Sequence, residues 1–396
     1  MLPTFGKIKA VKYLCNLILV GLWFIPNASG HPSYIGEGQP SCVSCHVNPA
    51  GGGALSDYGR AMSASSLSTK MLFSEEISES GIESYSGFLW KTKLPRWFRP
   101  EINYQGHYIN RAMGRPQSES EYVHQFLEAT VVSQHLKNDA LTFVASAGVT
   151  PARKRSSKYQ EKVHHELISR NHYGQIKLTP GTFLMAGAME KIYGLRVGDK
   201  STFSRQRTGI AFNDQVHAVA LLLHDQNMDT GFQIHAGNLY QEKKYREQGA
   251  NFSFEFGETR FWRIGLSGSY SKSETLTRMM GALHFRVSPD DGVSLISEFG
   301  VIDTNPESSR KEFGLYGLLK GQLKITRGLN FYTAFEVFNP EIGRKGEKLY
   351  RAAPGIQFSP IQRLSIKGEL RSQRATIPDA VYKDTWDMIT YLTIYI

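Results

Sequence analysis

Five consecutive residues carry the most specific chemistry in the sequence. They read Cys42-Val43-Ser44-Cys45-His46, the C-x-x-C-H pattern by which proteins attach a c-type haem. Two thiols at this spacing can add to the vinyl groups along one edge of the porphyrin, and the histidine that follows can ligate the iron from the proximal side. The sequence therefore predicts one covalent haem c, held by Cys42 and Cys45, with His46 as the proximal iron ligand.

The same cysteines are compatible with other kinds of site. A thioredoxin-like C-x-x-C needs a βαβ setting, and a zinc site needs two more Cys or His at metal spacing; the sequence shows neither. A disulfide between Cys42 and Cys45 remains open in an oxidising compartment. The adjacent His46 favours the haem.

The residues after the motif supply candidates for the remaining haem contacts. The glycines at 51–53 let the backbone pass close to a flat macrocycle. Tyr58 and Arg60 are candidates for the propionates, because an arginine fork suits a carboxylate; an ordinary surface loop is the alternative. Met62 and Met71 are candidates for the distal iron ligand, because a thioether raises the haem potential relative to two imidazoles, and Met62 is the favoured one. A five-coordinate iron is left open, and the other distal candidates are His31 and His107.

The N-terminus has the order of a secretory signal peptide over residues 1–30. Three lysines before residue 13 precede an apolar stretch at 14–25 and then small residues, so we expect cleavage between Gly30 and His31. Cys15 would leave with this peptide. A retained anchor is the alternative, but the apolar stretch is short for a bilayer span of about 20 residues. Beyond residue 25 there is no long apolar run. A membrane protein with this sequence must therefore cross the bilayer with strands.

Composition and charge also favour a strand-rich membrane protein. The chain of 396 residues has 19 Tyr, 22 Phe and 37 Gly beside 41% hydrophobic residues, a mixture typical of strand-rich folds. Part of the net charge of +10 lies in predicted external loops, which indicates contact with anionic outer-membrane lipid or attraction of anions. The cations in these loops are Arg153, Lys154, Arg155, Lys158, Lys243, Lys244 and Arg246. No nucleic-acid-binding motif accompanies them.

From Arg99 onward, short segments alternate between apolar and polar residues. In one of them Leu364, Ile366 and Leu370 share a face whose opposite side is polar, and period two is typical of a strand with unlike sides. The pattern predicts sixteen strands: 99–111, 121–136, 140–149, 163–178, 182–193, 215–226, 231–240, 249–257, 260–270, 277–287, 293–302, 312–325, 329–338, 348–358, 362–372 and 384–396.

The connections alternate in length, as in an outer-membrane barrel with short periplasmic turns and long external loops. The short ones are 137–139, 179–181, 258–259, 288–292, 326–328 and 359–360, and the long ones are 150–162, 194–214, 241–248, 303–311, 339–347 and 373–383. A soluble β-sandwich is the alternative, but it has no reason to lengthen every second connection. We therefore predict an all-β fold, a closed 16-stranded antiparallel transmembrane barrel with both termini in the periplasm.

A barrel of sixteen strands encloses an aqueous lumen, so its polar faces should point inward. The residues predicted to line the lumen are His284, Arg286, Glu298, Glu336, Lys367, Glu369 and Arg371.

A signal peptide, one C-x-x-C-H near the mature N-terminus and a sixteen-stranded barrel together resemble the fused monohaem cytochrome–porin family of the outer membrane. The resemblance implies a haem domain at 31–85 that plugs or caps the barrel, a linker at 86–98 and the barrel at 99–396. It also implies iron-oxidising activity, with electrons passing from extracellular Fe(II) to a periplasmic carrier such as a soluble cytochrome. The sequence shows no acidic cluster that would mark an Fe(II) site, so the donor stays open.

Two functions follow as hypotheses. The first is outer-membrane electron transfer through a haem associated with the barrel, since a haem outside the barrel cannot bridge a hydrocarbon core about 30 Å thick. The second is a porin for small solutes whose haem plug acts as a sensor or a structural element. A hydrolase is the least favoured class; it needs a Ser/His/Asp arrangement, which strand alternation alone does not exclude.

Overall fold

The computed structural model describes residues 32–37, 39, 41–71, 73, 76–90, 94–112, 118–151, 165–199, 201–211, 214–258, 261–307, 310–343, 348–376 and 383–396. The predicted signal peptide with Cys15, the cleavage site, His31 and the loop cations between 153 and 158 lie outside the described residues.

One antiparallel sheet closes on itself to form the barrel. Its strands are β1 (Arg99–Arg111), β2 (Glu119–His135), β3 (Leu141–Pro151), β4 (His165–Ile168), β5 (His172–Thr179), β6 (Thr182–Met189), β7 (Val216–His224), β8 (Met228–His235), β9 (Gln248–Phe256), β10 (Trp262–Lys272), β11 (Leu276–Val287), β12 (Val293–Pro306), β13 (Glu312–Thr326), β14 (Leu329–Asn339), β15 (Lys348–Ile361), β16 (Leu364–Thr376) and β17 (Lys383–Tyr395). Both β4 and β5 pair with β3, so the strands fill sixteen positions. β1 pairs with β17 as well as with β2, which closes the ring. The predicted closed 16-stranded barrel is confirmed.

The barrel wall is apolar outside and polar inside. Leu283 on β11 and its partner Phe299 on β12 are 62% and 55% exposed, whereas the next pair along the ladder, His284 and Glu298, is 3% and 2% exposed. Exposed apolar side chains around a polar interior are typical of a barrel that spans a membrane. The predicted lumen residues all lie on the inward faces of their strands.

Short turns and the C-terminus share one end of the barrel, called the short-turn end. Turns such as those between β11 and β12 and between β13 and β14 lie there, and Gly292 and Gly328 provide the positive φ of +77° that each turn requires. Ile396 bonds to Ile102 near the start of β1. The opposite end, called the long-loop end, carries the longer connections.

One predicted external loop lies inside the barrel instead. Residues 194–214 were expected at the surface as a polar connection, but the described part of 190–215, here called the inner loop, folds into the lumen with a short helix α4 (Phe203–Gln206). The external prediction is wrong because the loop has apolar side chains of its own. Phe203 is 1% exposed and packs with Tyr316 and Ile302 of the inner wall, and Leu195 packs on Leu318.

The residues before the barrel form a small helical plug, defined as the described part of 32–90. It contains helices α1 (Cys42–Cys45), α2 (Asp57–Ser65) and α3 (Glu79–Glu83), and the Ser56 and Ser78 side chains cap the last two by accepting from backbone N–H groups. Within the described residues no helix is long and apolar enough to cross a membrane.

The plug is tied to the short-turn end of the barrel. Gly292 N–H donates to the Gly36 carbonyl at 2.6 Å, Thr69 N–H donates to the Ser359 carbonyl at 3.0 Å, and Arg327 Nε donates to the Ser68 carbonyl at 2.6 Å. Hydrogen bonds to backbone carbonyls of this kind fix the plug in one position relative to the turns.

The lipid-facing assignment predicts a depth-dependent cost for charge. Leu283→Arg should lower the free energy of unfolding by about 2–4 kcal/mol, because it places a guanidinium in the hydrocarbon region. Leu239→Arg, a matched change in the connection between β8 and β9, should stay within about 1 kcal/mol. Urea unfolding in lipid vesicles measures both. Equal costs for the two variants would contradict the membrane assignment.

Candidate functional site

The C-x-x-C-H residues lie inside the barrel. Helix α1 is a single turn; its residue Val43 and the following Val47 and Ala50 pack against an apolar cluster of the inner wall. At Gly51 the backbone has φ +85° and turns back so closely that a Cβ would lie 2.8 Å from Cys42 Sγ. The positive φ and the close approach to Cys42 together require a glycine at position 51.

Helix α2 packs directly on α1. A Cβ at Gly59 would lie 2.1 Å from the Cys45 carbonyl oxygen, so only glycine permits this approach. The Ser56 backbone N–H donates to Cys45 O at 2.9 Å, and the Ser56 hydroxyl donates to Ser44 O at 2.8 Å. These contacts set the position of α2, and therefore of Met62, relative to His46.

A cavity of about 420 Å³ lies between the plug, the inner loop and the inner wall, and is called the central cavity. Its volume falls in the range of about 300–1,000 Å³ found for cofactor and ligand pockets. Cys45, His46 and Met62 line it from the plug. Polar and charged side chains line the remaining sides, among them Asn103, Gln105, Glu190, Arg196, Asp199, Arg205, Lys320, Gln322 and Lys367.

His46 has the protonation state of a metal ligand. Its Nδ1 lies 3.4 Å from the Gly53 carbonyl, and a proton held there places the imidazole lone pair on Nε2, the arrangement usual for metal-binding histidines. Burial lowers the pKa of His46 to about 4. The imidazole is therefore neutral at pH 7, which is the form that binds iron.

The two cysteines are separate thiols in neighbouring cavities. Cys45 lines the central cavity, whereas Cys42 lines a smaller one with Asp229, His284 and Arg286. Burial raises the pKa of the Cys45 thiol to about 11 and also raises that of Cys42. Neither sulfur is therefore a thiolate at neutral pH in the absence of a further group.

The remaining predicted contacts are placed less favourably. Tyr58 is 48% exposed and accepts a hydrogen bond from Gln39, and Arg60 pairs with Glu101 at 3.6 Å; neither side chain lines the central cavity. Met71 is 65% exposed. His107 lies on β1 with its ring 5.6 Å from that of Tyr391. Of the distal candidates within the described residues, Met62 alone shares the cavity with His46.

Arg196 of the inner loop joins the loop to the plug. Its Nη1 donates to the Ala50 carbonyl at 2.6 Å and its Nη2 to Glu190 at 2.7 Å, and Arg205 lies 3.7 Å from the same carboxylate. Burial raises the pKa of Glu190, but the two guanidinium groups outweigh it and bring the pKa down to about 2. Sequence reasoning missed Arg196. The apolar residues around it, such as Ile192 and Leu195, were the available signal that this loop is buried.

Comparison with known proteins defines the class of fold. No protein-family model and no curated protein sequence matches the chain. Among solved structures, OmpT of Vibrio cholerae with loop L8 deleted is 11% identical with a TM-score of 0.57, over 76% of this chain and 100% of that one. The outer membrane channel DcaP of Acinetobacter baumannii is 10% identical with a TM-score of 0.57, over 76% and 97%. An anion-selective porin from Comamonas acidovorans is 8% identical with a TM-score of 0.56, over 76% and 99%.

These similarities identify the fold as that of the outer-membrane porins and channels. At 8–11% identity they bear on the barrel alone.

The link through Arg196 predicts a local loss of order. Arg196→Met should destabilise the docked plug by about 1.5–3 kcal/mol, because each hydrogen bond to a charged group is of that size. Limited proteolysis at the plug should accelerate, whereas Arg310→Met, which removes an 84% exposed side chain paired with Glu341, should leave it unchanged. Unchanged proteolysis in both variants would argue against the link.

The depressed pKa of Glu190 predicts that part of the free energy of unfolding is lost in acid. The carboxylate stabilises the folded state above its unfolded pKa of 4.5, and this contribution is lost as the pH falls toward 2. The loss should total about 3 kcal/mol at most. The difference in unfolding free energy between the wild type and Glu190→Gln, measured from pH 6 to pH 2, should shrink over that window. A difference that does not vary with pH would contradict it.

Proposed function

We propose that this protein is an electron-transfer cytochrome of the outer membrane, with one haem c held inside a porin-type barrel. The observation that supports it most directly is the position of the C-x-x-C-H turn, which lies within the lumen and beside a cavity of cofactor size. A soluble carrier would have no need of a barrel, and an open porin would have no need of a haem motif in its lumen.

The donor set fits the haem. Cys42 and Cys45 would hold it as thioethers, the neutral His46 would ligate the iron, and Met62 would be the distal ligand. When bound, the haem supplies reversible one-electron chemistry at its iron. The protein's own contribution is to bury the group, to hold the His46 tautomer through Gly53 and to fill the lumen around it.

The route follows from the architecture. The plug lies at the short-turn end, which we assign to the periplasm, so a soluble periplasmic cytochrome would meet the haem side of the barrel there. The extracellular donor would approach from the long-loop end. Fe(II) is one such donor, and electrons would then run inward across a hydrocarbon core about 30 Å thick.

Intact cells test this proposal. Cells with the full-length wild-type protein should show c-type absorption bands, and an impermeant extracellular reductant should reduce them. Cys42→Ala with Cys45→Ala should lose the bands, because no thioether can form, while the barrel still inserts. The absence of c-type bands from the purified wild type would overturn the haem. Bands that the impermeant reductant fails to reduce would overturn the transmembrane route.

A second candidate is a solute porin with a haem plug as sensor or structural element. The solved structures of similar fold that are described as a channel and an anion-selective porin favour it. Planar-bilayer conductance separates the two functions: a plugged conduit should give little current, whereas a large, stable current from the full-length protein would favour the porin.

A further inference from the structure

The charges that line the central cavity are almost completely paired. Its carboxylates each have a cation: Glu37 with Lys324 at 2.6 Å, Glu101 with Arg60 at 3.6 Å, Glu190 with Arg196 at 2.7 Å and Asp199 with Lys367 at 2.7 Å. Its other cations are also paired, since Arg170 binds Glu128 and Arg205 lies beside Glu190. Such pairing is what burial of charge requires.

Lys320 is the exception among the cavity residues that the structure describes. It lies on the inward face of β13 and lines the cavity, yet it has no hydrogen bond or ion pair with any described residue. Its Nζ lies over the Tyr332 ring, 5.2 Å from the centroid. Lys367 lies 4.6 Å from the same centroid but is bound to Asp199 and Glu369.

Gln322 stands two residues farther along the same face of β13. It also lines the cavity, is only 9% exposed, and its side-chain amide bonds to none of the described residues. An ammonium and a neighbouring amide N–H, neither of them bonded to an acceptor among the described residues, form a donor pair suited to a carboxylate. The cavity therefore offers one cation that has no hydrogen-bonded or ion-paired acceptor among the described residues.

We propose that Lys320 and Gln322 bind a propionate carboxylate of the haem. This inference rests on the proposed function, because it places the haem in the cavity that Cys45 and His46 line. A haem buried there brings carboxylates that need partners. Neither Tyr58 nor Arg60 lines the cavity, and the other described cations in the cavity wall are already paired. Lys320 is thus a haem-binding residue of the barrel wall, distant in sequence from the attachment motif.

The charge has a measurable consequence. A positive charge near the haem disfavours the ferric state, which carries one more positive charge than the ferrous state, and the effect is large in a poorly solvated lumen. Lys320→Gln should therefore lower the haem midpoint potential. Lys320→Arg keeps the charge and should keep the potential. Lys348→Gln makes the same substitution at an exposed position at the start of β15, outside the cavity, and should also leave the potential unchanged.

Redox titration of the purified full-length proteins, with haem content from the pyridine haemochrome and folding from circular dichroism, tests the site. A lower potential in Lys320→Gln alone, with one haem per folded chain, supports it. Equal potentials in Lys320→Gln and Lys348→Gln would overturn the propionate site and leave the proposed function standing. A wild type without haem would overturn the proposed function and this site with it.

A free anion is the other source of the same chemistry. In that case Lys320→Gln would leave the potential unchanged and would reduce the preference for anions over cations in planar-bilayer current. That result would also overturn the propionate site.

Discussion

The constraint on which this molecule depends is the absence of water around its wall. Backbone N–H and C=O groups in a hydrocarbon layer must bond to one another, and a sheet meets this requirement only when it closes. The pairing of β1 with β17 therefore makes every other feature possible. Closure also sorts the side chains, because period two sends Leu283 and Phe299 to the lipid and sends His284 and Glu298 to the lumen. The polar interior is a consequence of the apolar exterior.

A polar lumen filled with protein creates its own requirement. When the plug and the inner loop enter the barrel they desolvate the charges on its wall, and each charge then needs a partner. The structure supplies these partners at short range: Arg286 with Glu255, Arg351 with Glu336 and Arg170 with Glu128. Removal of one member would leave the other buried without compensation. Because buried charges are otherwise paired, a cavity lysine that has no ion pair with a described residue is a candidate ligand-binding residue.

The barrel was predictable from the sequence because its signal is local. Alternation within ten residues identifies a strand, and the lengths of the connections give the side of the membrane, so observed strands such as β11 and β14 differ from the predicted ones by a single residue at one end. The inner loop was not predictable in this way. Its polar residues and its length predict an external loop, whereas its place depends on contacts of Phe203 and Leu195 with apolar patches on distant strands. The interruption between β4 and β5 was also not predictable, because it arises from how both strands pair with β3 and does not change the alternation of polar and apolar residues.

The same distinction applies to the candidate site. The motif at Cys42, Cys45 and His46 is contiguous, so the sequence alone predicts a haem there. Residues from the wall and the inner loop reach the cavity only through the fold: Arg196 and Lys320 are separated from His46 by well over a hundred residues, and no spacing rule connects them. A plug this small has little core of its own, and the apolar contacts of Val43 and Val47 are with the barrel wall. The barrel thus completes the fold of the plug, and the turn at Cys42–His46 acquires its enclosed setting only together with the barrel.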